Sequence, residues 1–162
     1  AMPDCMAALQ KSGLGEAVAD GLKNKPFFGI CVGAQLLFDV SEEGNTAGLG
    51  WFSGSVKRFA AGLKDAQGDK LKVPHMGWNQ VHQTRAHPLF AGVAQDARFY
   101  FVHSYYFAPS DPSIVLGQSD YPETFACVVG RDNVFATQFH TEKSHDAGLQ
   151  LLQNFMLWDG QA

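Results

Sequence analysis

Cys31 stands in Phe27-Phe28-Gly29-Ile30-Cys31-Val32-Gly33-Ala34-Gln35, an apolar run that ends in Gly-x-Cys-x-Gly ahead of a helix-like stretch. A tight strand-to-helix turn of this kind mounts a nucleophile. Its glycines permit the turn and the approach of substrate, and the positive end of the helix dipole favours thiolate over thiol. The same letters also fit a buried cysteine at an ordinary strand end. Far downstream, Val134-Phe135-Ala136-Thr137-Gln138-Phe139-His140-Thr141-Glu142-Lys143-Ser144 is a β-rich run that, in extended chain, puts His140 and Glu142 on one face. By itself this pair fits a solvated polar strand end. A base that takes a thiol proton and a carboxylate that orients the base must be adjacent in space, however, and His-x-Glu supplies both. Cys31, His140 and Glu142 together read as a Cys-His-Glu triad for nucleophilic acyl transfer.

For that triad to assemble, the elements carrying Cys31 and His140 must lie side by side. Met6, Leu9, Leu14, Val18 and Leu22 predict a helix over 4–23, Lys25-Pro26 breaks it, and a strand follows at 27–31. A helix is expected over 33–40, a loop from Gly44 to Gly54, a short strand over Ser55–Phe59 and a turn-rich connection over Ala60–Lys70. Strands are expected near 79–83, 98–105, 113–118, 124–130 and 134–139, the last two joined by a hairpin at Arg131-Asp132-Asn133. A final helix near 145–158 would present Leu151, Leu152, Phe155 and Met156 on one face. The pattern is an α/β alternation followed by a β-rich second half, in one domain spanning residues 1–162.

Five segments carry a family resemblance. Gly29-Ile30-Cys31-Val32-Gly33-Ala34-Gln35, Ser41-Glu42-Glu43, Pro74-His75-Met76-Gly77-Trp78-Asn79, Tyr100-Phe101-Val102-His103-Ser104-Tyr105 and Gln138-Phe139-His140-Thr141-Glu142-Lys143-Ser144 together resemble the glutaminase subunits of imidazole glycerol phosphate synthase. Those are class I glutamine amidotransferases of histidine biosynthesis. The first and last segments are shared across class I, and the Pro-His-Met-Gly-Trp-Asn and Tyr-Phe-Val-His-Ser-Tyr segments point to the histidine-pathway members. The resemblance implies a flavodoxin-like sheet with flanking helices. It also implies hydrolysis of L-glutamine by Cys31, His140 and Glu142, with the Val32 amide in the oxyanion site and Gly33, Gln35, Glu43, Ser104 and Tyr105 holding substrate. Met76, Gly77, Trp78, Asn79, Tyr100 and Lys143 would face a (β/α)₈-barrel cyclase partner, to which ammonia passes. No cofactor is implied. The alternatives are a class I subunit serving another synthase, or a catalytically impaired subunit that only binds its partner.

This chain departs from the family pattern in three places. Val32 and Ala34 stand where leucine and methionine are usual, and Thr141 replaces the proline common between the histidine and the glutamate, loosening the geometry there. The first residues, Ala1-Met2-Pro3-Asp4-Cys5-Met6, match the segment just after the family's glycine-rich loop. An opening strand-helix-strand and the second oxyanion donor are therefore expected outside this sequence, which reads as a piece of a longer chain; without that donor the rate would fall about 10²–10³-fold.

Composition narrows the field further. The chain is 46% apolar, enough for a substantial core, and has no run of the eighteen or so apolar residues that span a membrane. A formal net charge of −4 with dispersed lysines and arginines leaves no footprint for nucleic acid. Cys5, Cys31 and Cys127 are too few and scattered for a disulfide framework or a zinc site, which suits a reducing, cytoplasmic compartment. His75, His82, His87, His103 and His145 lack metal-ligand spacing, so no metal is expected, and His103 reads as a buried hydrogen-bonding residue.

Overall fold

A computed structural model describes all 162 residues. Helix α1 (Met2–Ser12) and helix α2 (Gly15–Asn24) replace the single helix expected over 4–23. The break is at Gly13, whose φ of 73° is a left-handed cap conformation that glycine adopts without a Cβ penalty. Strand β1 (Phe27–Ile30) follows, and then α3 (Val32–Gln35), a single turn. The helix expected over 33–40 stops there, because Phe38–Ser41 forms β2, parallel to β4 (Phe52–Arg58). Leu36-Leu37-Phe38 is an apolar run whose periodicity fits helix and buried strand alike, and pairing with a distant strand decides it. The loop expected over 44–54 holds the two-residue β3 (Thr46–Ala47) and the start of β4.

In the second half, β5 (His75–Gln80) and β6 (His82–Gln83) occupy the region where one strand was expected. The strand predicted over 98–105 divides at Ser104 into β7 (Arg98–His103) and β8 (Tyr105–Pro109), which belong to different sheets. Then come β9 (Val115–Asp120), β10 (Thr124–Arg131), β11 (Val134–Thr137) and α4 (His145–Leu157). The Arg131-Asp132-Asn133 hairpin forms as expected, with Asp132 at a φ of 54°. The main sheet runs β1-β11-β10-β8-β4-β2-β3, with β9 pairing β10 and β6, while β5 and β7 form a separate antiparallel ribbon. No helix is long and apolar enough to cross a membrane.

The main sheet is buried on both faces, as continuous apolar strands require. Phe99, Phe125, Phe135, Phe139 and Leu151 lie in one cluster, and Leu37, Phe38, Phe52, Val129 and Val134 in the other. Consecutive Cys127 and Val128 both join the first cluster, where register shifts between Ala126 and Val129 interrupt the alternation of β10. On α4, Leu151 is fully buried, but Met156 is 83% exposed and does not join the core face predicted for it.

The pairing of β1 with β11 brings the two sequence-predicted segments together. It is parallel, with Ile30 opposite Thr137, so Cys31 and the Gln138–His140 segment leave the same end of the sheet on adjacent strands.

Candidate active site

Cys31 itself, not a flanking glycine, takes the strained turn. Its φ of 55° and ψ of −114° lie outside the regions that side chains ordinarily occupy. Its amide donates to the Thr137 carbonyl at 2.8 Å, and its carbonyl accepts from Ala34 and Gln35, which pins the residue between strand and helix. Gly29 serves close packing: a Cβ there would meet the Gly33 carbonyl at 3.0 Å. Gly33 makes no such approach and lines a separate apolar cavity of about 480 Å³ beside α1 and α2. The helix beyond the cysteine is four residues long, and burial pushes the Cys31 thiol up from its ordinary value. The thiolate-favouring dipole expected from sequence is therefore outweighed, although the Val32 amide and the Gln138 side chain both draw the thiol back down.

His140 is held from three sides. Its amide donates to the Tyr100 carbonyl at 3.0 Å, and its carbonyl accepts from the Ser144 hydroxyl at 2.5 Å, while that hydroxyl accepts from the Tyr100 amide at 2.9 Å. Ser144, 1% exposed, was not singled out from sequence, where a serine before a helix reads only as a cap. Nδ1 of His140 lies 2.6 Å from Glu142 Oε1. The two meet across a 3-10 turn, Thr141–Lys143, and not along the extended strand expected for them. Thr141 opens that turn, where proline's fixed φ also fits, and its buried hydroxyl has no partner. No hydrogen bond joins the sulfur to His140; the sulfur's side-chain partner is Gln138, at 3.7 Å.

Helix α4 seats the turn. A Cβ on Gly148 would fall 2.0 Å from the Thr141 carbonyl and 2.8 Å from the Ser144 Cβ. Gly148→Ala is accordingly expected to destabilise the fold by about 2–4 kcal/mol, read as a lower urea midpoint, and to displace Glu142 from His140.

A cleft of about 460 Å³ opens beside the sulfur, lined by Cys31, Val32, Gln35, Glu43, Ser104 and Tyr105 together with Arg58, which the sequence did not nominate. Gln35 is buried, its amide donating to the Tyr105 carbonyl at 3.3 Å. Glu43 lines the cleft and accepts from the Met2 amide at 2.9 Å. The cleft thus brings a carboxyl, a guanidinium and a thiol within one small space.

On the β5–β7 ribbon, Trp78 pairs with Tyr100, and Met76 and Trp78 are 62% and 41% exposed. Trp78 stacks on His145 at 5.0 Å. Gly77 keeps a φ of 131° between them. Asn79 turns inward, donating to the Asp120 carbonyl and facing His75. His103 is buried and hydrogen-bonded, as expected, and no group of histidine, cysteine and carboxylate residues suited to a metal is present.

Residues 10–158 match the family described as glutamine amidotransferase class-I. Among similar proteins, the imidazole glycerol phosphate synthase subunit HisH of Neisseria gonorrhoeae is 74% identical over 158 residues, covering 98% of this chain and 74% of that protein. The protein of the same name from Chromobacterium violaceum is 68% identical over 160 residues, covering 99% of this chain and 75% of its own. Among solved structures, a putative GMP synthase protein from Thermoplasma acidophilum aligns over 96% of this chain and 65% of its own with a TM-score of 0.64 at 22% identity. A structure described as glutamine amidotransferase aligns over 91% of this chain and 71% of its own, with a TM-score of 0.63 at 18% identity. These two likenesses bear on the fold, a mixed sheet with few helices. On the sequence match and the fold together, the chain belongs to the class I glutamine amidotransferase family and groups there with the HisH subunits of imidazole glycerol phosphate synthase.

Proposed function

We propose that this chain hydrolyses L-glutamine to glutamate and ammonia as the glutaminase subunit of imidazole glycerol phosphate synthase. The observation that carries the reading is the placement of Cys31 and the His140–Glu142 couple at the same end of the adjacent parallel strands β1 and β11. His140 removes the Cys31 proton, and the thiolate attacks the side-chain carbonyl carbon of glutamine. Negative charge moves to the carboxamide oxygen, which the Val32 amide receives. Collapse of this adduct breaks the C–N bond as His140 delivers the proton to nitrogen, releasing ammonia. Water deprotonated by His140 then cleaves the glutamyl thioester and returns the thiol. Glu142 holds the imidazole in one tautomer, with Nε2 free for both transfers.

Glu43 suits the α-ammonium of the substrate, while Gln35 and the 104–105 backbone suit its carboxamide and α-carboxylate ends. Exposed Met76 and Trp78 and half-buried Tyr100 lie on one ribbon beside His140, and with Lys143 they suit a protein partner, the (β/α)₈-barrel cyclase. Ammonia passes to that partner without release, and ligand on the barrel raises glutaminase turnover through a backbone change near the oxyanion site.

The test is glutamate release by the chain alone, with the cyclase, and with the cyclase holding its ribonucleotide ligand. A rise of about 10- to 100-fold in the last case is expected. Co-purification with a non-barrel synthase would assign the chain to another class I enzyme. Tight cyclase binding without glutamate release under any condition would leave it a binding subunit only.

A further inference from the structure

We propose that the side-chain amide of Gln138 is a dedicated hydrogen-bond donor to the Cys31 sulfur, held in its donating orientation by Gln35, whose own orientation the Tyr105 carbonyl fixes. The proposal rests on Cys31 being the nucleophile, and it adds a group in contact with the reacting atom that the triad does not include. Gln138 is fully buried, and its Nε2 lies 3.7 Å from Sγ.

Which end of that amide faces the sulfur follows link by link. The Tyr105 carbonyl can only accept, so Gln35, 3.3 Å away, must present Nε2 to it. The same Nε2 lies 3.0 Å from Gln138 Oε1, which fixes Gln138 with its oxygen toward Gln35 and its nitrogen toward the sulfur. A second donor holds the Tyr105 carbonyl: His103 Nδ1, at 2.8 Å. Burial pushes His103 down to about 3 and His75 to about 4, so both rings are neutral near pH 7. With Nδ1 of His103 committed as donor, its Nε2 accepts from His75 Nδ1 at 2.9 Å, and His75 Nε2 accepts from Asn79 at 3.2 Å. Reversing any amide or tautomer along this path sets donor against donor or acceptor against acceptor in a buried site.

The titrating sulfur is faced by several charged or titratable groups. Glu142 disfavours its ionisation and Lys143 favours it, His140 stands at the neighbouring strand end, and Glu43 and Arg58 line the cleft. Gln138 is neutral, so removing its N–H changes the thiolate's solvation without changing the local charge.

The experiment is the rate of iodoacetamide alkylation of the full chain against pH, with the label assigned to Cys31, Cys5 or Cys127 by mass spectrometry. Gln138→Met keeps the volume and removes the donor. Its apparent Cys31 pKa is expected to rise by about one unit, a tenfold loss of thiolate below both values, with an unchanged plateau rate at high pH. Gln35→Met, which does not touch the sulfur, is expected to shift it less and in the same direction by freeing the Gln138 amide. An unshifted pKa in Gln138→Met, or a lowered plateau without a shift, overturns the proposal. Should that variant fail to fold, the side-chain amide resonance of Gln138 in the unaltered, ¹⁵N-labelled protein must move with the alkylation pKa, and a stationary resonance overturns it equally. Alkylation needs no turnover, so the two readings fail separately. Shifted pKa values with no glutamate release would sink the glutaminase reading alone, and intact glutamate release with unshifted values would sink the Gln138 donor alone.

Discussion

Cys31→Ala is expected to lower partner-stimulated glutamate release by about five to six orders of magnitude, the scale on which loss of its nucleophile disables a covalent acyl-transfer enzyme. No other thiol can stand in. Cys127 is fully buried in the core, where burial pushes its thiol far up, and Cys5 lies on α1 against the apolar cavity, away from the cleft. Partner binding should survive, because Met76, Trp78 and Tyr100 lie on the separate β5–β7 ribbon. The backbone makes a second demand. At φ 55° and ψ −114°, Cys31 carries strain that a non-glycine residue holds only at a cost of about 1–3 kcal/mol. Cys31→Gly relieves it, less the roughly 1 kcal/mol of extra chain entropy that glycine loses on folding. The glycine variant should therefore be as inactive as the alanine variant but about 1 kcal/mol more stable than it, a difference of about 2–4 °C in melting temperature. An alanine variant that keeps its stimulated rate would end the acyl-enzyme mechanism. A glycine variant less stable than the alanine one would show that the turn at Cys31 is not strained.

Cys31, His140 and Glu142 stand out as candidates in the sequence because they are chemically distinctive side chains at element boundaries, where spacing and residue type say most. What surrounds them was legible only in part. Gln138 reads in sequence as one more polar residue in Thr137-Gln138-Phe139-His140, and its tie to Cys31 depends on the parallel register of β1 and β11, a contact across 107 positions of chain. Ser144 reads as a helix cap, and only the approach of β7 turns its hydroxyl into a clamp on His140. Arg58 ends a short strand and gains meaning only when β4 and β8 close one side of the cleft.

Element boundaries failed for related reasons. Phe38–Ser41 continues an apolar run that fits helix and buried strand alike, and pairing with β4 makes it a strand. Tyr100 through Tyr105 is a single β-rich run by pattern, yet it divides at Ser104 because its first half must pair with β5 and its second with β4. Met156 follows Leu152 at helical spacing but turns to the solvent side of α4, while Phe155 before it and Trp158 after it still pack on the core. In each case the sequence carries the local preference and a partner remote in the chain decides the outcome. At Cys31 motif and turn are both present, but one helical turn is too short to offset burial of the sulfur.

His140→Asn is expected to cost about 10⁶-fold in glutamate release, the loss seen when the histidine of a catalytic triad is removed. The size follows from the two proton transfers that the proposed mechanism assigns to His140. With Nδ1 committed to Glu142 at 2.6 Å, only Nε2 remains to take the proton from sulfur and to hand it to the departing nitrogen. The second transfer dominates, since ammonia cannot leave a tetrahedral adduct as an amide anion. Raising the pH distinguishes this loss from one at Gln138. A missing sulfur hydrogen bond weakens ionisation of the thiol, so its effect vanishes once the pH exceeds the raised pKa of Cys31 and the thiolate forms unaided. A missing general acid is not restored by alkali, because the thiolate forms but the leaving group still lacks its proton. The expected result is therefore a rate that stays about 10⁶-fold low across the pH range for His140→Asn and recovers at high pH for Gln138→Met. Glu142→Gln should fall between them, keeping an imidazole whose tautomer is no longer enforced. Recovery of His140→Asn at high pH would mean that His140 serves only to ionise Cys31, and that ammonia receives its proton from another group in the cleft.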